Sequence, residues 1–178
     1  MVPPPIAPKG STVIRTLGEN LAQYASYHRD PRNRATHYVG IPMIVVAAAV
    51  LLSRPHLEVG GLSLPLAAAG AAAAIVYYGL LDLGLAMIMT ALLGLAVWFG
   101  SWAADQGTGI WLIIGVGGFV TGWAFQFVGH YFEGRKPAFM DDLVGLLIGP
   151  LFVLVEAMFA LGMYRTLRAE LRAAADRR

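Results

Sequence analysis

The chain has 178 residues, of which 57% are hydrophobic and only 13% charged, with mean hydropathy +0.63; soluble domains carry about 25% charged residues, so an ordinary water-soluble fold is excluded. Its 13 basic and 11 acidic residues leave a net charge of +2, and the basic ones lie at the chain ends and in loops, which speaks against a nucleic-acid partner. Cysteine is absent, which rules out disulfides, thiolate zinc sites, iron–sulfur clusters and cysteine nucleophiles, so any metal must be held by His, Asp, Glu or neutral oxygen donors.

In chain order, residues 1–11 contain Pro3, Pro4, Pro5 and Pro8 and read as a disordered lead rather than a signal peptide. From Thr12 to His28 the pattern is mixed, with Leu17, Leu21, Tyr24 and His28 on one helical face, which predicts an interfacial helix capped by Ser11 or Thr12. Asp30-Pro31 is expected to stop it, since the residue before proline avoids the helical region. A first membrane span is predicted from near Arg34 to about Ser53, followed by a polar, Gly-rich loop from Arg54 to Gly61. The run from Leu62 to Ala103 is interrupted only by Asp82 and is about twice the length of one crossing, so two spans joined around Asp82 are expected. Gly109 to about Tyr131 makes a further span and Glu133 to Asp142 a charged loop, with Asp141 and Asp142 as caps for the last helix. The last apolar segment begins near Leu143 and contains Gly149-Pro150 and Glu156.

These elements predict an all-α, polytopic membrane bundle of four to five transmembrane helices with an N-terminal interfacial helix. Residues 12–164 form a single integral membrane domain, and 165–178 a basic cytoplasmic or surface tail. The excess of cationic residues on cytoplasmic loops puts Arg15, Arg29, Arg32, Arg34, Arg135 and Lys136 inside. Five full crossings would then send the Arg-rich tail outside, against the same tendency. The Gly149-Pro150 break makes the last segment the first candidate for a bent or half-buried element.

Of the 4 histidines, His28, His37 and His130 map to the cytoplasmic rim, and His56 to the opposite side. His28 and His37 would point apart on one straight helix, but the Asp30-Pro31 break lets two helices bring them to a common point. Trp123, Gln126, His130 and Glu133 align on one face, and Tyr24 and Asn33 each lie one turn from a histidine, where they could orient it. A lone interfacial histidine is ordinarily an anchor; three on one rim point to a shared site. Glu133 is either a solvated charge paired with Arg135 or a contributor to that site. Glu156 is an intramembrane carboxylate and should face a cavity or a partner. Three histidines with a carboxylate suffice for a mononuclear nonhaem iron or a zinc site. Four histidines are too few for the di-iron centre of membrane desaturases.

The run Tyr27-His28-Arg29-Asp30-Pro31-Arg32-Asn33-Arg34-Ala35-Thr36-His37-Tyr38-Val39-Gly40-Ile41-Pro42 resembles the N-terminal signature of the 2-hydroxy-fatty-acid dioxygenase family. A second block, Trp123 to Gln126, Gly129-His130, Phe132-Glu133, Arg135-Lys136-Pro137-Ala138 and then Gly149-Pro150 with Glu156, resembles its C-terminal signature in the same order. The resemblance covers about Leu21 to Leu161. It implies an integral membrane enzyme that uses Fe(II) and O₂ to shorten a long-chain 2-hydroxy fatty acid by one carbon with release of CO₂. His28, His37 and His130 would be the iron-associated residues, with Glu133 beside them in catalysis.

Three protein ligands leave open positions for a chelating 2-hydroxy acid and for O₂. The substrate itself can supply the electrons, so neither 2-oxoglutarate nor haem is expected. Arg34, Arg135 or Lys136 could neutralise the fatty carboxylate, Trp123 and Gln126 are further candidate substrate contacts, and Asn33, Tyr24 and Glu156 are candidate orienting partners. The Ala-rich, Arg-over-Lys composition suggests a bacterial inner membrane rather than endoplasmic reticulum, with the site toward the cytoplasm and lipid bilayer around it. A homo-oligomer is compatible with the sequence. Two other classes fit the same residues: a zinc-dependent membrane lipid hydrolase, and a non-enzymatic transporter or haem carrier.

Overall fold

The computed structural model describes residues 15–136 and 144–176. The proline-rich lead, Asp141 and Asp142 lie outside the described residues. The interfacial helix α1 runs Leu17–Ser26, shorter than expected, because Thr16 is the residue that caps it. The Thr16 side chain accepts from the Glu19 N–H while the Glu19 carboxylate accepts from the Thr16 N–H at 2.8 Å, a reciprocal capping box. Asp30-Pro31 does not stop this helix; it starts the next. Asp30 caps α2 (Pro31–Leu52) by accepting from the Arg32 N–H at 2.8 Å, and Pro31 occupies the first turn, where its missing N–H costs nothing. Only the short turn through Tyr27, His28 and Arg29 separates the two helices.

The segment expected to be a plain loop is a two-stranded hairpin, β1 (His56–Val59) against β2 (Leu62–Pro65). Gly60 and Gly61 both have positive φ, 59° and 84°, which a tight hairpin turn requires and side chains resist. The apolar run that follows divides as expected into α3 (Leu66–Leu81) and α4 (Leu83–Ala104). Asp82 is the joint, and its side chain caps α4 through the Leu85 N–H at 2.8 Å. After α5 (Thr108–Leu112), a π-helical turn at Ile113–Gly117 leads into α6 (Gly118–Glu133), and α7 (Val144–Ala160) and α8 (Arg165–Asp176) complete the described chain.

By length and apolarity α2, α4 and the continuous Thr108–Glu133 helix are each able to cross a bilayer, while α3 is shorter; the chain is a membrane protein with a helical bundle architecture. The α7–α8 pair bends by 112°. That bend is not at Gly149-Pro150, which lies inside α7, but after Ala160, where Gly162 and Tyr164 have φ of 76° and 53°. Pro150 removes one helical hydrogen bond without ending α7, whereas two left-handed residues within three positions turn the chain sharply.

Val144 and Ile148 line one cleft with Arg15 and Asn20, and Glu156 pairs with Arg34 at the start of α2. Within the segment expected as a basic cytoplasmic or surface tail, α8 (Arg165–Asp176) packs against α1.

The most extensive helix pairing, that of α2 with α6, is made close by glycine. A Cβ on Gly129 would collide with the Thr36 hydroxyl and the Asn33 side chain and come within 3.1 Å of His37 Nδ1. Only hydrogen at that position lets α6 bring His130 beside His37.

Candidate metal centre

His28 sits in the turn after α1, His37 in the second turn of α2 and His130 in the last turn of α6. Their relative exposures are 3%, 2% and 6%. The imidazoles form a closed triangle with ring centroids 4.4, 5.2 and 5.0 Å apart. His56, the remaining histidine, is exposed in β1 at the other end of the molecule, its Nδ1 2.8 Å from the Arg54 carbonyl.

Backbone carbonyls decide which nitrogen of two rings carries hydrogen. His28 Nδ1 lies 2.7 Å from the Tyr24 carbonyl, and His37 Nδ1 lies 2.9 Å from the Asn33 carbonyl. A carbonyl can only accept, so both Nδ1 atoms donate, and in the neutral rings both Nε2 atoms carry lone pairs. Those two Nε2 atoms face each other at 3.0 Å. His130 completes the set, since its Nδ1 is buried without a partner while the Arg135 backbone hydrogen-bonds the same ring. One nitrogen from each ring lies within 4.8 Å of the others, and these three form the only such cluster among the described residues.

Burial pulls His28 down to a pKa of about 4, because the charged imidazolium is the form that loses hydration. The ring is therefore neutral at physiological pH. Converging lone pairs repel unless a cation lies between them, and three neutral imidazole nitrogens are a donor set suited to zinc or nonhaem iron. Tyr24 stacks on His28 at 4.2 Å and 13°, and Phe152 of α7 packs on Tyr24 at 5.0 Å, so α7 closes one side of the triangle.

Glu133 is not in the triangle. One carboxylate oxygen accepts from the Arg29 N–H at 2.9 Å, and the other accepts from the Asp30 N–H at 2.9 Å and the Asn33 amide at 3.0 Å. It clasps the end of α6 to the turn that carries His28. Those three donors satisfy both carboxylate oxygens within the protein. Glu156 pairs with Arg34 and accepts from the Tyr38 hydroxyl at 3.2 Å, so Arg34 is engaged away from the histidines. Arg135 and Lys136 are exposed, and Arg135 reaches the Ser26 carbonyl at 3.4 Å.

Beneath the histidines lies a pocket of about 70 Å³ between α1, α2, α6 and α7. Ile41, Ile44, Val45 and Leu146 make it apolar, and Trp123 and Gln126 also line it, whereas Arg34, Arg135 and Lys136 do not. The sequence reading missed Ile44, Val45 and Leu146, because nothing distinguishes them locally from lipid-facing residues. Such a site can hold a metal ion at its polar end and an alkyl chain at the other.

A protein-family model described as 2-hydroxy-palmitic acid dioxygenase Mpo1-like matches residues 14–161. Among curated proteins, the 2-hydroxy-palmitic acid dioxygenase MPO1 of Saccharomyces cerevisiae is 34% identical over 160 residues, covering 87% of this chain and 87% of that protein. No solved structure matches.

Proposed function

Since the chain belongs to the Mpo1-like 2-hydroxy-palmitic acid dioxygenase family, we propose that it is a membrane enzyme converting a long-chain 2-hydroxy fatty acid and O₂ to the fatty acid one carbon shorter, CO₂ and water. The observation that carries this reading is the convergence of three bare imidazole nitrogens at the head of an apolar pocket. His28, His37 and His130 would hold Fe(II), which when bound supplies the capacity to activate O₂ next to a chelated 2-hydroxy acid. The overall reaction balances with the substrate as sole electron source, so it requires no 2-oxoglutarate.

The residues of the chain do the rest. The Tyr24 and Asn33 carbonyls keep two ligand nitrogens unprotonated and aimed at the centre. The Tyr24 ring, Phe152 and Ile41 exclude water from one side. Ile44, Val45 and Leu146 supply the wall for the alkyl chain, each buried methylene contributing about 0.8 kcal/mol, which favours long chains. The cationic residues at the histidine end support a cytoplasmic orientation of the site.

The test is turnover by purified, anaerobically iron-loaded protein of 2-hydroxyhexadecanoic acid, its 3-hydroxy isomer and the unsubstituted acid. Only the 2-hydroxy acid should consume O₂ and yield CO₂ with the shortened acid, since only it offers a hydroxyl and a carboxylate to one metal. Equal turnover of all three sinks the reading, and turnover that persists without oxygen points instead to a zinc hydrolase.

A further inference from the structure

Three arginine and lysine side chains are the obvious partners for a fatty carboxylate, and none of them lines the pocket. Arg34 is paired with Glu156 and Tyr38, and Arg135 and Lys136 lie on the surface. A carboxylate that reaches the histidines must find its neutral hydrogen-bonding partner elsewhere.

Gln126 stands out within the pocket. It is 5% exposed, and among the described residues its carboxamide makes no hydrogen bond, with Nε2 buried and unpartnered. It lies one helical turn before His130 on the same face of α6. Its seat exists because position 40 is glycine: a Cβ there would collide with Gln126 Nε2 and stand 2.9 Å from Phe125 Cβ. A buried amide without a partner is destabilising, and apolar side chains of similar shape would fill the same space without that cost. An amide placed so is suited to an incoming group.

We propose that the Gln126 carboxamide is the anchor for the 2-hydroxy acid head group, donating an N–H to the carboxylate and accepting from the 2-hydroxyl through its oxygen. This rests on the oxygenase reading above. A carboxamide has one donor end and one acceptor end, and a 2-hydroxy carboxylate offers one acceptor and one donor on adjacent carbons. An unsubstituted acid fills only half of that pair. Gln126 is thereby a specificity-determining residue, and its neutrality leaves the carboxylate's negative charge available to a cation at the histidines.

The experiment compares wild type with Gln126→Leu and Gln126→Met, both checked for insertion, monodispersity and bound iron. Equilibrium binding of 2-hydroxyhexadecanoate and of hexadecanoate is measured anaerobically in nanodiscs, alongside KM and kcat in air. Both variants should keep wild-type iron content, with Kd and KM for the 2-hydroxy acid raised about tenfold, the scale of a lost buried hydrogen bond to a charged group. Affinity for hexadecanoate should change less, so the preference for the hydroxylated acid collapses. His56→Ala, at an exposed hairpin residue away from the pocket, should leave that preference in place. An unchanged affinity ratio in a folded, iron-loaded Gln126→Met protein overturns the proposal, as does loss of iron in both variants. If wild type consumes no 2-hydroxy acid the oxygenase reading falls, and the anaerobic affinity ratio still decides the role of Gln126.

Discussion

The Tyr164 hydroxyl donates to the Asp82 carboxylate at 3.1 Å, joining residues 82 positions apart. Asp82 lies at the α3–α4 joint, and α3 starts beside the hairpin, where the Leu66 N–H donates to the Pro55 carbonyl at 2.9 Å, so the joint is at the opposite, histidine end of the bundle. Tyr164 follows α7 directly. The contact therefore ties the turn after the last apolar helix to the α3–α4 joint, and α8 packs against α1.

Cysteines introduced singly at Arg32, Arg135 and Arg172 should all react with an impermeant reagent from one face of the membrane, and one at His56 from the other. Labelling of Arg172 together with His56 would mean that α7 crosses after all. Opposite labelling of Arg32 and Arg135 would dissolve the common rim.

Replacing His28, His37 or His130 with Ala should each lower iron content and turnover together. Loss of a mere orienting partner weakens metal sites about 10–100-fold, and loss of a ligand should exceed that. His56→Ala should change neither quantity, because its ring is exposed beyond the far end of α2. Full iron and full turnover in a folded His130→Ala protein would remove the shared site.

Glu133→Ala should behave differently from the histidine variants. It leaves the Arg29 and Asp30 N–H groups and the Asn33 amide without their acceptor, which should lower stability by about 1–3 kcal/mol in denaturant titration. Iron stoichiometry at saturating metal should stay at the wild-type value. Complete loss of iron from a folded Glu133→Ala protein would make the carboxylate a ligand.

Acid should destabilise the metal-free protein through His28. Its pKa falls on folding, from the ordinary histidine range to about 4, so the unfolded chain binds its proton first. The stabilisation is fully present above the unfolded value and is lost as pH falls toward the folded one. Melting temperatures measured between pH 7.5 and 4.5 should decline less steeply in His28→Asn than in wild type. Parallel profiles for the two proteins would show that burial of this ring is not what acid disrupts.

The histidine site was legible because its ingredients are local. His28 and His37 flank one helix break, and His130 sits four residues after Gln126 on the same helical face. Glu133 was legible only as a charge near the site. Whether it meets a metal or the backbone depends on Arg29 and Asp30, 104 and 103 residues away. The pairing of Arg34 with Glu156, 122 residues on, had no local sign in the sequence.

The sequence by itself determined the solvent, the helical class, the joint at Asp82 and the candidate ligands, since hydropathy runs and helical spacing are properties of neighbouring residues. Only the tertiary structure decided that α7 turns back at Gly162 and Tyr164, that Glu133 clasps the His28 turn, and that Gln126 lies unpartnered in an apolar pocket. Each of those depends on which distant atoms meet. Burial against protein and burial against lipid draw on the same apolar residues, and one-dimensional hydropathy does not separate them.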